Sequence, residues 1–283
     1  MIEIAIGPNL AEWGSFVLSW HGFFSFIAVG TAVYLVGRWA PLLGIDPDAI
    51  YSIAIWGIIG GIIGARVVHV VDNWTFYSNS PGQILAIYAG GIAVWGGILG
   101  GFIFAAAYAL RTHHPVGIIA DLTAPALLIA QTIGRLGDIV NGEHCAKAAD
   151  FALSFVWTNR VTDARICDNG IGVGVHPVIA YEMVWNLLAL IVVWRLRGKI
   201  RPAGMLFALY LALYSVGRFA ISFAREDKVW ALGLQEAQYI ALLVLAITVP
   251  LMIIKARPAG GVEAELAPAS APRGTRAERR RRR

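Results

Sequence analysis

An arginine, an aspartate, an asparagine and a glutamate fall within ten residues, Gly134-Arg135-Leu136-Gly137-Asp138-Ile139-Val140-Asn141-Gly142-Glu143, at the end of a stretch otherwise apolar enough for a bilayer. A charge near hydrocarbon costs at least ~2.5–3.5 kcal/mol on insertion scales, so such residues are kept for a use. Arg66 and Arg218 interrupt other apolar stretches in the same way. A guanidinium donates two parallel hydrogen bonds and does not deprotonate, which suits a phosphate. Asp138, Glu143 and Glu182 are the acids expected at this depth. They are too few for the arginines, and a bound phosphate would balance the count. The chemistry indicated is that of an anionic lipid.

The elements that must position these groups are membrane spans. The chain has 283 residues, 58% hydrophobic and only 14% charged, whereas a soluble domain is nearer 25% charged. Seven apolar segments, near 16–38, 50–71, 87–109, 119–137, 178–196, 204–223 and 235–255, are each long enough to cross about 30 Å of hydrocarbon. The expected fold is therefore all-α and polytopic. Arg38, Arg111, Arg195, Arg197, Lys199, Arg201, Lys255 and Arg257 then fall on one side. The positive-inside rule makes that side cytoplasmic and the N-terminus external. The polar segment 138–177 becomes a small extracytoplasmic head between spans four and five, holding both cysteines, Cys145 and Cys167. An oxidising compartment permits a disulfide there, and two unpaired thiols are the alternative. A membrane domain over 1–257 is followed by a basic tail, 258–283, whose composition is that of a disordered, membrane-surface segment and not of a nucleic-acid binder. Glycines recur in spans two (Gly57, Gly60, Gly61, Gly64) and three (Gly96, Gly97, Gly100, Gly101), at spacings that let helices approach closely.

On this topology the polar groups share one membrane level. Arg66 and His69 are near the outer end of span two, and Arg135 and Asp138 near that of span four. His176, Tyr181 and Glu182 open span five. Tyr214, Arg218 and Ser222 occupy the outer half of span six, and Trp20 and His21 the outer part of span one. Tyr214, Arg218 and Ser222 are spaced i, i+4, i+8 and so line one helix face. Arg135 and Asp138, at i, i+3, could also simply neutralise one another. The stretch 72–86, with Trp74, Phe76 and Tyr77, could lie on the membrane surface as an arm or be an ordinary loop.

The run 134–143 resembles the signature of the prolipoprotein diacylglyceryl transferase family, roughly G-R-x-G-N-F-x-N-x-E. The resemblance extends over about 16–255, through Gly64-Ala65-Arg66, Trp95-Gly96-Gly97, His176-Pro177 with Tyr181-Glu182, and Tyr214 with Arg218. It implies transfer of a diacylglyceryl group from phosphatidylglycerol to the lipobox cysteine of exported prolipoproteins. A thioether forms and glycerol phosphate leaves, with no metal or organic cofactor, in a bacterial plasma (inner) membrane. Arg135 and Arg218 match the family's essential arginines, and Asn141, Glu143 and Tyr214 fall on motif positions. With Arg66, Tyr181 and Glu182 these form the expected substrate-binding set. The partners implied are the lipid, the bilayer, and the precursor's signal peptide and lipobox.

The chain departs from that pattern at several positions. Trp95 stands where many members have histidine, Asp138 where the signature has asparagine, Ala146 for a glycine and Ser222 for a glutamate. His21 stands at a tyrosine position of the family. The general base is thereby open between His21 and Asp138, and His21 could equally be an interfacial residue beside Trp20. A histidine suits the role because its ordinary pKa lies near operating pH. Other function classes fit less well. A transporter would carry charges through the membrane thickness, and a retinal receptor needs a lysine deep in the last span, where only Lys255 stands, at its end. A catalytically silent relative that binds lipid or precursor is the remaining alternative.

Overall fold

A computed structural model of the chain describes residues 1–14, 16–87, 90–91 and 93–259. Among the described residues, seven helices are long and apolar enough to cross a membrane: α1 (Trp20–Trp39), α2 (Pro47–Asp72), α4 (Val94–Arg111), α5 (Val116–Asn141), α6 (Val178–Leu196), α7 (Met205–Ser222) and α8 (Glu236–Lys255). A short helix, α3 (Trp74–Asn79), and a 3₁₀ turn, Pro81–Leu85, occupy the stretch 72–86. Trp74 and Phe76 are exposed there, while Tyr77 is buried under Arg66, whose guanidinium carbon stands 5.2 Å from the ring centre. Most of the basic tail, residues 260–283, lies outside the described residues.

Three boundaries differ from the sequence reading. The first span does not begin at 16. Strands β2 (Asn9–Trp13) and β3 (Phe16–Ser19) form an antiparallel hairpin, and Ser19 ends it by accepting the Gly22 N–H at 3.0 Å as the N-cap of α1. An apolar run continuing into a helix conceals that change of backbone. Residue 87 is not the start of the third span either. Gly90 and Gly91 take positive φ, and α4 begins only at Val94. Finally, α5 runs past 138 to Asn141, where Gly142, at φ 71°, ends it. Pro125 lies buried inside this helix, as membrane helices allow. Asp121 accepts the Gly204 and Phe207 N–H groups, each at 2.8 Å, and so caps α7, whose first amide groups have no helical partner.

The helices associate in two ways. α2 packs along α4 and α1 along α5, while α1 and α2 touch sparingly. In the α2/α4 pair the backbones nearly meet: a Cβ added to Gly100 would stand 2.9 Å from the Gly64 Cα. Only glycine permits that approach. α5, α6 and α7 enclose an apolar core of Ala124, Leu128, Ala189, Val193, Leu206 and Tyr210.

Residues 142–177 form a compact head. Its strand β4 (Phe155–Trp157) pairs in parallel with the N-terminal β1 (Ile2–Ile4). Ile4, Phe155, Trp157, Ala164 and Val175 make its core. Cys145 and Cys167 are joined by a disulfide. The Trp157 indole donates to the Ile139 carbonyl at 2.8 Å, tying the head to the end of α5. At the opposite end of the bundle, β5 (Ile200–Arg201) pairs with β6 (Arg257–Pro258).

Candidate functional site

α1 and α6 begin at the head end of the bundle, and α5 and α7 finish there. Residues early in the first two and late in the last two therefore share a level. His21, Asp138, Glu182 and Arg218 are such residues. Gly137 brings α1 and α5 together at this point. A Cβ there would stand 2.6 Å from the His21 Cα and 2.9 Å from the Trp20 carbonyl oxygen, so the second glycine of the signature run sets the approach of His21 to its neighbour in sequence, Asp138.

The polar groups form one connected network. His21 Nδ1 lies 2.7 Å from Asp138 Oδ1 and 3.3 Å from Glu143 Oε1. Asp138 Oδ2 accepts from Arg135 Nη1 at 2.5 Å. The same arginine nitrogen lies 2.7 Å from His144 Nε2, and the other Arg135 amino group bridges to Glu182. Arg218 Nη1 donates to Glu182 Oε1 at 2.5 Å, and Arg225 Nη1 is 3.6 Å from that oxygen. Glu182 thus stands among three guanidiniums. Arg225 in turn holds Asp227, Nε donating to Oδ2 at 2.6 Å and Nη2 to Oδ1 at 3.2 Å. Burial works to raise the Asp227 pKa, but the Arg225 hydrogen bonds and charge, with Arg218 beyond, keep it below the ordinary carboxylate value.

This corrects the expectation that the arginines lack partners. Asp227, which the count from the sequence left out, joins Asp138, Glu143 and Glu182 and completes the charge balance within the protein. Arg66 differs from the rest. It is buried, and its donors go to the carbonyls of Gln83, Ile84, Ala86, Gly90 and Gly91, so it fixes the segment before α4 and does not join the network. Tyr181 also stands apart, its hydroxyl 3.3 Å from His176 Nδ1. Asn141 does join, donating to Glu143 Oε1 at 2.9 Å. Trp95 is the second residue of α4.

A cavity of about 160 Å³ opens on the network, lined by His21, Arg135, Asp138 and Tyr214 together with Ser25, Gln131 and Asn186. The side chain of His21 is 43% exposed and that of Asp138 only 5%, so the histidine is the accessible member of the pair. Sequence reasoning missed several of these groups. Gln131 precedes Arg135 by four residues and Asn186 follows Glu182 by four, a helical spacing that could have revealed both. His144 had no such signal, since it sits just beyond α5 at a positive φ of 74°. One donor atom from each of His21, Asp138 and Glu143 lies within 4.8 Å of the others. These could hold a cation by distance alone, but Asp138 is already engaged by His21 and Arg135, and a metal would have to displace both.

Fold and site together define a polytopic membrane protein with an arginine–carboxylate–histidine cluster at the head end of its bundle. The profile of the prolipoprotein diacylglyceryl transferases matches residues 8–254, and the chain belongs to that family. Three proteins named phosphatidylglycerol–prolipoprotein diacylglyceryl transferase are similar to it. That of Dehalococcoides mccartyi is 35% identical over 259 residues, covering 91% of this chain and 96% of the relative. That of Synechococcus elongatus is 35% identical over 85% and 84%. That of Streptococcus pyogenes is 31% identical over 91% and 98%. With seven apolar helices and bacterial relatives of this kind, the chain is a multi-pass protein of the bacterial inner membrane.

Proposed function

We propose that this protein transfers the diacylglyceryl group of phosphatidylglycerol to the lipobox cysteine of a prolipoprotein, and that His21 is the proton acceptor. The observation that carries this reading is the pairing of an accessible His21 with a buried Asp138 on the wall of the cavity that Arg135 and Tyr214 also line. The thiol must come from the substrate, because both cysteines of this chain are in the disulfide.

Asp138 accepts the hydrogen bond at His21 Nδ1 and so holds the neutral ring in the tautomer whose Nε2 can take a proton. The thiol gives its proton to Nε2. Its sulfur then attacks the glyceryl carbon that bears the phosphate, forming the C–S bond. The C–O bond breaks, and glycerol phosphate leaves with the electron pair. Charge grows on the phosphate oxygen as it departs, and fixed guanidinium donors favour that change. Arg218 directs a single N–H to Glu182, which leaves donor capacity for a phosphate, and Arg135 is held in place by Asp138 and Glu182. Asp138 itself is unsuited to be the base, since it already accepts from Arg135 and His21. Asn141 steadies Glu143 beside the ring.

The basic ends of the helices, Arg38, Arg111, Arg195 and Lys255, support an orientation with the head and N-terminus outside and the C-terminus in the cytoplasm. The cavity would then lie at the outer leaflet, where an exported signal peptide with its lipobox arrives.

The test uses purified full-length protein, phosphatidylglycerol micelles and a lipobox peptide, following release of glycerol phosphate. Release that depends on the peptide cysteine and falls about 100-fold in His21→Ala, with the lipid KM kept, is the expected result. Undiminished release from His21→Ala removes it from the mechanism. No release from folded wild-type protein, beside an active relative, leaves a lipid-binding, catalytically silent protein.

A further inference from the structure

The polar cavity shares one wall with a second, larger space. Because α1 packs along α5 and α2 along α4, the two pairs meet at a seam between α1 and α2. That seam opens into a groove of about 700 Å³ lined by Ser25, Val29, Gly30, Val33, Tyr51 and Ile58. Ser25 also lines the polar cavity, so the two spaces adjoin there. Below Ser25 the lining is almost wholly apolar. The volume is within the roughly 300–1,000 Å³ usual for sites that take a small organic ligand.

The groove narrows at one end. Tyr51, near the start of α2, lays its ring on Gly37 of α1: a Cβ there would stand 2.7 Å from the ring. The ring thus leaves no room for a side chain on Gly37 and narrows the seam between the helices at that point. From Ser25 to Gly37 along α1 is about 18 Å, at ~1.5 Å per residue. Gly30 lies on the way, and a Cβ built on it meets nothing within 4 Å, so the groove is open at that point.

We infer that this groove seats one acyl chain of the lipid donor and that Tyr51 limits the length it accepts. The inference rests on the proposed reaction. A phospholipid whose phosphate reaches Arg135 and Arg218 needs an apolar channel opening from the same place, and the seam supplies it with Ser25 at the junction. The apolar stretch of a signal peptide is the competing occupant. It is less suited, because a helix is about 10 Å wide with its side chains and the seam narrows at Tyr51.

Two variants change the groove in opposite directions. Gly30→Trp fills it without a clash in the α1 backbone, and Tyr51→Ala widens its narrow end. The full-length protein is assayed with a lipobox peptide and phosphatidylglycerols of graded chain length. In Gly30→Trp the ratio of kcat/KM for long over short chains should fall about tenfold, equivalent to losing the burial of roughly two methylenes. In Tyr51→Ala the preferred length should increase. In parallel, a phosphatidylglycerol carrying a photoactivatable diazirine at its chain end should label α1 near Val33, and Gly30→Trp should abolish that label. A length profile unchanged in both variants overturns the inference. A rise in peptide KM with lipid KM unmoved overturns it too, and assigns the groove to the signal peptide. If wild-type protein shows no turnover, the proposed reaction fails but the labelling still decides the groove: label on α1 supports it, and label only elsewhere overturns it.

Discussion

The α2/α4 pair and the α1/α5/α6/α7 cluster are joined by opposite chemistries. In the first, glycines remove the side chains and the helix backbones meet, so that a Cβ added to Gly100 would stand only 2.9 Å from the Gly64 Cα. In the second, charged side chains reach across and helices are tied by His21 to Asp138, by Arg135 to Glu182 and by Arg218 to Glu182. Close packing gains van der Waals contact in a medium where lipid tails are as apolar as leucine, but leaves no functional group at the contact. Ion pairs there give weaker net stability because each charge must be desolvated, yet they hold donors and acceptors in fixed positions. The glycine pair is a frame and the charged cluster is the part able to react. Arg66 belongs to the frame despite its charge, since it secures Gly90 and Gly91 just before α4.

Substitutions should separate the two regions by which quantity they change. The largest effect on rate is expected from Arg135→Ala, with kcat lowered about 10³-fold, as for loss of a principal charge-stabilising donor. It also leaves Asp138 and Glu182 short of a partner, so a stability loss of about 3–5 kcal/mol accompanies it. Arg135→Lys should recover the stability in part and little of the rate, because an ammonium cannot reproduce two directed N–H contacts. Glycerol phosphate release and denaturation midpoints measured on the same preparations check both. A rate near wild type in Arg135→Ala would remove the guanidinium from the chemistry and make the cluster a second frame.

His21→Ala should lower kcat about 10²-fold with stability nearly unchanged, since the ring is partly exposed. Wild-type rate should rise with pH as the imidazole loses its proton, and the variant should lack that limb. A pH profile identical in the two proteins would contradict proton acceptance by His21. Gly100→Val should do the reverse. Its side chain has no room against Gly64, and an overpacked contact costs ~1–3 kcal/mol or more. Turnover per folded molecule should stay near wild type, and a large loss of specific activity in folded Gly100→Val would join frame and cluster into one functional unit.

How much of this was legible in the sequence follows the same division. Seven spans, the glycine-rich pair and the shared level of His21, Arg135, Asp138, Glu182 and Arg218 all rest on local pattern or on alternation of direction. Partner choice does not. Arg66 and Arg135 are both arginines in apolar stretches, and nothing local says that one meets carbonyls and the other carboxylates. That outcome depends on residues 83–86 and 90–91 folding back over α2. The three guanidiniums around Glu182 likewise come from α5, α7 and the segment after α7, and the charge count made from the sequence came out short because it left out Asp227 beyond that helix. The hairpin before α1 was missed because Phe16 to Ser19 continue the apolar run of the span. The cysteine pairing was an open alternative until the head folded around it.

The smallest effect concerns the edge of the cluster, where Asp227 meets Arg225 outside the membrane spans. Burial opposes ionisation of Asp227, but the Arg225 hydrogen bonds and charge prevail and hold its pKa below the ordinary carboxylate value. A folded-state pKa below the unfolded one adds stability above the unfolded value of about 3.9, and that stability is lost as pH falls through the folded pKa. Asp227→Asn should therefore be less stable than wild type near neutrality, and the difference should shrink as the medium is acidified below about pH 4. Because Asp227 is partly exposed, solvent screens the pair and the neutral-pH difference should not exceed about 2–4 °C in Tm. The comparison is informative because Arg225 also stands 3.6 Å from Glu182. If Asp227→Asn instead lowers turnover as strongly as His21→Ala, Asp227 is what keeps Arg225 from drawing Glu182 away from Arg135 and Arg218, and the reactive region extends to the segment beyond α7.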